Sequence, residues 1–314
     1  ILALVFINYQ YTGEISFDYA TLRDTPLPYT TEHLLMLGFF IAFAIKLPVF
    51  PFHSWLPDAH AQAPTGGSVD LAGLLLKTAA YGLLRFSLPF FPHASIDFAP
   101  IAMSLGLIGI VYGAMMAFVQ TDMKRLIAYS SVSHMGFVLI GIYSFNTLAL
   151  QGVVVQMVAH GISAAALFII SGIVYDRLKT RSFNEMGGLW GRIAYLPSIS
   201  LFFVAASLGL PGLGNFVGEF LILLGSFQTA PWLTAFATGG LILASVYSLW
   251  LMQKTFYGPA PSEENLVPLN AREMLTLLSL MCILLFIGLY PQPLLDTSAG
   301  SIDALQDFIA SLTQ

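Results

Sequence analysis

Residues 32–52 read EHLLMLGFFIAFAIKLPVFPF. From Leu34 to Ile45 no side chain is charged or hydrogen-bonding, then Lys46 appears, followed by Pro48 and Pro51. Proline lacks a backbone donor and clashes with the preceding turn, so a helix running through 34–45 cannot continue past Leu47. Open backbone at bilayer depth is tolerated only where it is buried in protein or lines a hydrated cavity. The stretch therefore predicts a membrane helix broken beside a lysine, with Lys46 facing such a cavity. The plainer alternative is a lysine that caps the freed carbonyls or forms a structural ion pair.

The rest of the chain agrees that the solvent is lipid. Of 314 residues, 57% are hydrophobic and 9% charged, and the mean hydropathy is +0.79. A soluble domain carries about a quarter charged residues. The net charge of −5 therefore says little about partners. Hydropathy predicts about eight spans, near 32–52, 66–91, 98–119, 124–144, 147–175, 193–228, 231–256 and 271–292. The stretch 193–228 is too long for one straight helix and carries a second break at Pro211-Gly212-Leu213-Gly214-Asn215. The expected fold class is all-α: a polytopic membrane helix bundle of inverted repeats with two broken helices, truncated at its N-terminus. Residues 1–8 (ILALVFIN) are apolar but supply only about a third of a span, so they read as the cut end of a helix.

Loop charges set an orientation. One set of loops holds Lys124, Arg125, Arg177, Lys179, Arg181, Arg192, Lys254 and Arg272. The other holds Arg23 with Glu14, Asp18, Asp24, Asp97 and Asp296. The positive-inside rule places the first set in the cytoplasm. Segment 9–31 and the C-terminus are then external, and the uncharged loop at 59–65 is cytoplasmic by parity. The membrane domain spans 32–292, broken near 46–51 and 211–215. Residues 299–314 place Ile302, Leu305, Phe308, Ile309 and Leu312 on one helical stripe, with Asp303 and Asp307 off it. This predicts an amphipathic helix that lies on the outer surface or packs on a neighbouring subunit.

Ionisable groups at membrane depth cost about 2.5–3.5 kcal/mol on insertion scales and mark function by default. Lys46, Lys77 and Glu219 are the candidates. Lys77 lies mid-span in VDLAGLLLKTAAYGLLRF, too deep to snorkel, with Asp70 two turns earlier as a prospective partner. Glu219 follows the second break in GLPGLGNFVGEF. A buried lysine or carboxylate titrates in response to its neighbours' charges, which suits proton exchange; the bland reading of each is a structural ion pair or a local hydrogen-bond acceptor. His134 and His160 fall in later spans beside Ser130, Ser131, Ser133, Gly161 and Ser163. They read either as packing residues or as a relay that titrates near neutral pH. His33, His53, His60 and His93 lie towards membrane edges and inform less, although His53 and His60 flank a short half-helix, SWLPDAH. Lys124 and Arg125 read as orientation determinants, and Cys282 as a small apolar core residue.

The two breaks each contain Leu-Pro, at Leu47-Pro48 and Leu210-Pro211, in the first and sixth spans. An odd separation gives them opposite orientations, as in inverted repeats whose discontinuous helices flank an ion pathway. The sequence contains no dinucleotide loop, phosphate-binding loop, CxxC or nucleophile elbow, and its histidines lack ligand spacing, so it predicts no cofactor and no metal in this chain.

Three segments carry a family resemblance: KLPVFPFHSWLPDAHAQAPTGGSVDLAGLLLKTAAYGLLRF (46–86), TDMKRLIAYSSVSHMG (121–136) and GLPGLGNFVGEF (209–220). They resemble the antiporter-like family, which comprises three large membrane subunits of respiratory complex I, mitochondrial relatives, subunits of multisubunit sodium/proton antiporters and membrane-bound hydrogenases. The resemblance implies that Lys46 is the lysine of the first broken helix, Lys77 the central lysine, His134 and His160 polar positions of the central axis, and Glu219 the terminal acid. Glutamate at 219 favours the M-type branch, since L- and N-type subunits look to carry lysine there. A carboxylate partner for Lys46 is implied on a helix preceding Ile1. The function implied is proton translocation in the membrane arm of NADH:quinone oxidoreductase, in an inner membrane, beside L- and N-type neighbours. NADH, FMN, iron–sulfur clusters and quinone are expected in partner subunits. The alternatives are a subunit of a sodium/proton antiporter or hydrogenase, and a passive scaffold.

Overall fold

A computed structural model describes residues 1–259 and 266–312. Helices dominate, in the order α1 (Leu2–Thr12), α2 (Tyr19–Arg23), α3 (Tyr29–Lys46), α4 (Trp55–Gln62), α5 (Thr65–Phe90), α6 (Pro92–Phe118), α7 (Met123–Tyr143), α8 (Thr147–Leu178), α9 (Leu196–Ser207), α10 (Gly214–Thr229), α11 (Pro231–Phe256), α12 (Ala271–Leu289) and α13 (Gln292–Leu312). Among the described residues the only extended pairing is one bridge between Asp122 and Ser182. Among the described residues six helices are long and apolar enough to cross a membrane: α5, α6, α7, α8, α11 and α12. The remaining two predicted spans are the broken ones, each divided into shorter helices.

The first break follows from its prolines. Helix α3 ends at Lys46, and α4 begins at Trp55. Pro48 brings no N–H, and the Val49 N–H turns back to Ala44 O at 2.9 Å. The Ile45 carbonyl is left to the Trp55 indole, whose Nε1–H donates to it at 2.8 Å. The second break lies between Ser207 and Gly214. Gly209 (φ +81°) and Gly212 (φ +93°) take left-handed conformations on either side of Pro211, a backbone path that residues with a Cβ rarely follow.

Helix α7 is the axis of the bundle: its membrane-length core is buried throughout, with α4, α6, α8, α10 and α11 packed around it. It starts on an Asp122 cap, whose carboxylate accepts from Arg125 N at 3.0 Å. By contrast, α12 buries only Leu277, Leu284 and Ile287 and is peripheral. Cys282 sits on its outward face and is exposed, which corrects the expectation of a core thiol. The reason is the solvent: in a bilayer a uniformly apolar helix has no obligation to turn any one face inward.

The loops sort onto two ends. Arg125 pairs with Asp58, Lys124 Nζ donates to Ala63 O at 2.9 Å, and Arg181 donates to Ala61 O. Arg177 pairs with Glu273 at 2.8 Å, and Leu266 N donates to Arg192 O at 3.2 Å. The uncharged loop at 59–65 thus joins the basic loops. At the opposite end Tyr29 and His33 meet Asp97 at 3.0 and 3.2 Å, and buried Glu32 accepts from Ala94 N at 3.0 Å. The chain enters the first break from the acidic end and leaves at the basic end; it passes through the second in the reverse direction.

Three boundaries differ from expectation. Helix α1 continues to Thr12 and α2 interrupts the segment at 9–31. The C-terminal helix starts at Gln292, seven residues before the expected Ala299: Pro293 falls in its first turn, where the missing N–H costs no helical bond, and no proline follows it. It packs on this chain's own α8, burying Ile302 and Ile309, while Asp303 and Asp307 face out. The Leu312 side chain and residues 313–314 lie outside the description.

Replacing Trp55 by Phe removes the donor to Ile45 O while keeping most of the packing. The bond lies on the exposed face of the bundle, so at bilayer depth the freed carbonyl would face lipid, at a cost of about 1–3 kcal/mol. We expect a correspondingly lower unfolding temperature for W55F in thermal denaturation of the detergent-solubilised protein.

Candidate functional site

Four of the five candidate residues converge. Lys77 projects from α5, His160 from α8, His134 from α7 and Glu219 from α10. Lys77 Nζ lies 2.8 Å from His160 Nδ1. The His160 and His134 rings are 5.1 Å apart between centroids, inclined at 56°. His134 Nδ1 lies 2.7 Å from Glu219 Oε1. His134, His160 and Glu219 are each at most 2% exposed.

Local backbone features position the lysine. On either side of it α5 widens into π-helical turns, at Leu71–Leu75 and Leu83–Ser87. Such turns recur at functional sites. The first directs the Leu76 N–H to Leu71 O, and the Lys77 ammonium donates to the Ala72 carbonyl. Close approach of α5 and α8 supplies the rest. A Cβ on Gly161 would sit 2.7 Å from Gly73 O, so only glycine lets the helices come near enough for Lys77 to reach His160. Asp70, the expected partner of Lys77, is instead exposed and makes no ion pair among the described residues. Two turns along α5 place it about 10 Å from the lysine, beyond direct reach.

The His134 tautomer follows from its partners. Donating Nδ1–H to the Glu219 carboxylate leaves Nε2 as acceptor for the Tyr247 hydroxyl at 3.1 Å and Ser207 at 3.3 Å. With both nitrogens protonated, the same two hydroxyl oxygens accept from Nε2–H. Glu219 Oε1 also accepts from Gln156 Nε2 at 2.8 Å, and its other oxygen points at the backbone of Gly209 in the second break. Asn215, one turn before Glu219, donates to Ser163 at 3.1 Å.

Ser207, Tyr247 and Gln156 are not singled out by the sequence, and Asn215 enters it only as the end of the second break. Each is a neutral polar residue in or beside an apolar span, a weak signal that many structural residues share. The hydroxyls that were expected to surround His134 behave otherwise: Ser130 and Ser131 donate to Ile127 O within their own helix, and Ser133 donates to Ile110 O. Lys46 stands apart. It is half-buried and has no hydrogen-bond or ion-pair partner among the described residues. His60, expected near a membrane edge, is fully buried, stacked on Phe168 at 4.3 Å. His53 is likewise buried, packed against Tyr112. The half-helix carrying His60 packs against α7. Among the described residues no cluster of three or more His, Cys, Asp or Glu could hold a metal ion.

The profile of the family described as "NADH:quinone oxidoreductase/Mrp antiporter, TM" matches residues 1–244. The chain belongs to this family. It is 63% identical to NADH-quinone oxidoreductase subunit M of Pseudomonas aeruginosa over 311 residues, covering 99% of this chain and 61% of that protein. It is 60% identical to NADH-quinone oxidoreductase subunit M of Escherichia coli K12 over 317 residues, covering 100% and 62%. The chain thus spans about three fifths of the length of these relatives. Among solved structures, a chain of respiratory complex I from Thermus thermophilus with bound NADH superposes with a TM-score of 0.91 at 32% identity, covering 98% of this chain and 66% of that one. A chain of the Mrp complex from Dietzia sp. DQ12-45-1b gives 0.81 at 20% identity, with 100% and 67% covered, and shows the shared fold alone. The protein is accordingly a multi-pass bacterial membrane protein of the NADH:quinone oxidoreductase/Mrp antiporter family.

Replacing Gln156 by Leu removes the amide that shares the carboxylate with His134. We expect a loss of about 1–3 kcal/mol from the under-satisfied acceptor, read as a lower unfolding temperature, with Gln156→Glu more harmful because it sets two carboxyl groups side by side.

Proposed function

We propose that this chain is the channel-bearing part of a proton-translocating membrane-arm subunit of an NADH:quinone oxidoreductase. The observation that carries the reading is the row Lys77–His160–His134–Glu219, its last three members buried, assembled from four helices in a member of this family. NADH, FMN, iron–sulfur clusters and quinone belong to partner subunits, and L- and N-type antiporter-like subunits are the neighbours in the arm.

A proton arriving from the cytoplasm is taken by Lys77 and shared with His160 across their 2.8 Å contact. The 5.1 Å between imidazole centroids is crossed by ring rotation or through water. His134 delivers to Glu219 through the 2.7 Å contact, while Tyr247 and Ser207 hold the second ring nitrogen in either protonation state. Glu219, at the second break, is the point of release to the outside. The orientation rests on the basic loops as the cytoplasmic end, which makes the C-terminal helix periplasmic. Lys46 supplies the electrostatic input from the first break. Moving one charge against 100 mV requires about 2.3 kcal/mol, a change of roughly fiftyfold in proton affinity, within reach of rearranging one ion pair.

The test uses the full-length protein in its assembled complex, in sealed vesicles. Quinone reduction and proton uptake are recorded together, with assembly checked on native gels. Lys77→Ala and Glu219→Gln each lower proton uptake and coupled turnover at least tenfold while the complex assembles. Normal pumping by both assembled variants defeats the relay and leaves the chain a scaffold. Exchanging sodium for potassium leaves uptake unchanged; sodium-dependent uptake without quinone reductase activity assigns the chain to an antiporter instead.

A further inference from the structure

At the acidic end of the bundle, a cavity of about 660 Å³ lies between α5, α8 and α13. Its mouth is formed by Tyr19, Arg23 and Arg85, and its wall by Leu84, Leu150 and Met157. Arg23 is neutralised by Asp24 at 2.7 Å and lies over the Phe308 ring. Arg85 has no such compensation. Its guanidinium stacks on the Tyr19 ring at 4.1 Å, with the Tyr19 hydroxyl on the Arg85 carbonyl at 2.9 Å, and it makes no ion pair among the described residues. An exposed, uncompensated arginine close to the end of a membrane helix is therefore held in place by an aromatic residue from a different element.

Beyond Tyr81 and Met157, which line both spaces, the cavity continues into a cleft of about 700 Å³ between α5 and α8. That cleft is mostly apolar, with Asp70 at its far end and Thr78 beside Lys77, onto whose flank it opens. The combined shape is a cationic mouth at headgroup level joined to an apolar trench running into the membrane. Guanidinium matches phosphate geometry through paired N–H donors, and tyrosine suits the interfacial level. A small soluble anion has no use for the apolar wall, and a zwitterionic lipid offers a phosphate already paired with its own ammonium, a poorer partner for an uncompensated Arg85.

We propose that this cavity binds an anionic phospholipid, with its phosphate on Arg85 and one acyl chain laid along α5 across the cleft beside Lys77. The lengths agree. Eight residues separate Arg85 from Lys77, about 12 Å along a helix. One leaflet of hydrocarbon is about 15 Å deep, so a chain anchored at Arg85 reaches the lysine. The lipid closes the side of the Lys77–His160 contact with an apolar wall and keeps bulk water and ions from it.

The experiment counts lipids on the full-length protein in its assembled complex. Wild type, Arg85→Ala, Arg85→Lys and Met157→Trp are washed in delipidating detergent, and retained phosphatidylglycerol, cardiolipin and phosphatidylethanolamine are measured per complex. The expected result is one anionic lipid fewer in Arg85→Ala, retention in Arg85→Lys, and loss in Met157→Trp, which fills the trench but keeps the cation. Met157→Trp decides the matter if Arg85→Ala does not assemble. Equal anionic lipid in wild type and assembled variants overturns the proposal. So does equal loss of phosphatidylethanolamine, or an experimental map in which a protein segment fills the trench. Lipid count does not depend on proton transfer, so this site stands or falls separately from the relay.

Discussion

The contact between Lys77 and His160 is the constraint around which the membrane part of this structure is arranged. A cation at bilayer depth has to be met by acceptors supplied from protein. Here the acceptors are an imidazole on α8 and a carbonyl on its own helix. Both demand special backbone: a π-helical turn to place the Ala72 carbonyl, and a glycine at 161 to let α8 approach. His160 in turn lies against His134 on the central helix, and His134 against Glu219 on α10. Helices from both halves of the bundle are thereby tied through polar side chains rather than through apolar packing alone, which in lipid provides little drive of its own.

Much of this was legible in sequence because a bilayer makes exceptions conspicuous. Lys77 and Glu219 stood out as charges within apolar runs, and the prolines at 48 and 211 marked both breaks. What stayed hidden was of two kinds. Gln156, Ser207 and Tyr247 are neutral, so their cost in an apolar span is too small to set them apart from ordinary structural residues. The first π-helical turn of α5, at Leu71–Leu75, is not announced by proline; it lies where α5 packs on α8, which is a property of three dimensions, whereas the second ends two residues before Pro89. Cys282 and Asp70 misled for related reasons. Hydropathy does not say which side of an apolar helix meets lipid, and helical spacing does not say whether a neighbour two turns away is near enough to bond.

Inverted repeats usually suggest that two halves do the same thing twice. The two breaks here do not behave alike. The second is integrated into the polar row: Gly209 backs Glu219, and Asn215 reaches α8 through Ser163. The first is closed in on itself: the Trp55 indole satisfies Ile45 O, and Lys46 has no polar partner among the described residues. A satisfied break beside an unpaired, half-buried cation is an electrostatic element without local compensation. Under the proposed mechanism its charge is the input to Lys77, carried through a bundle interior where screening by salt is weak. In the proposed relay one break terminates the chain of proton acceptors, while the other biases its first member. The pseudo-symmetric fold supplies two equivalent discontinuities, and the side chains beside them, Lys46 and Glu219, make them unequal.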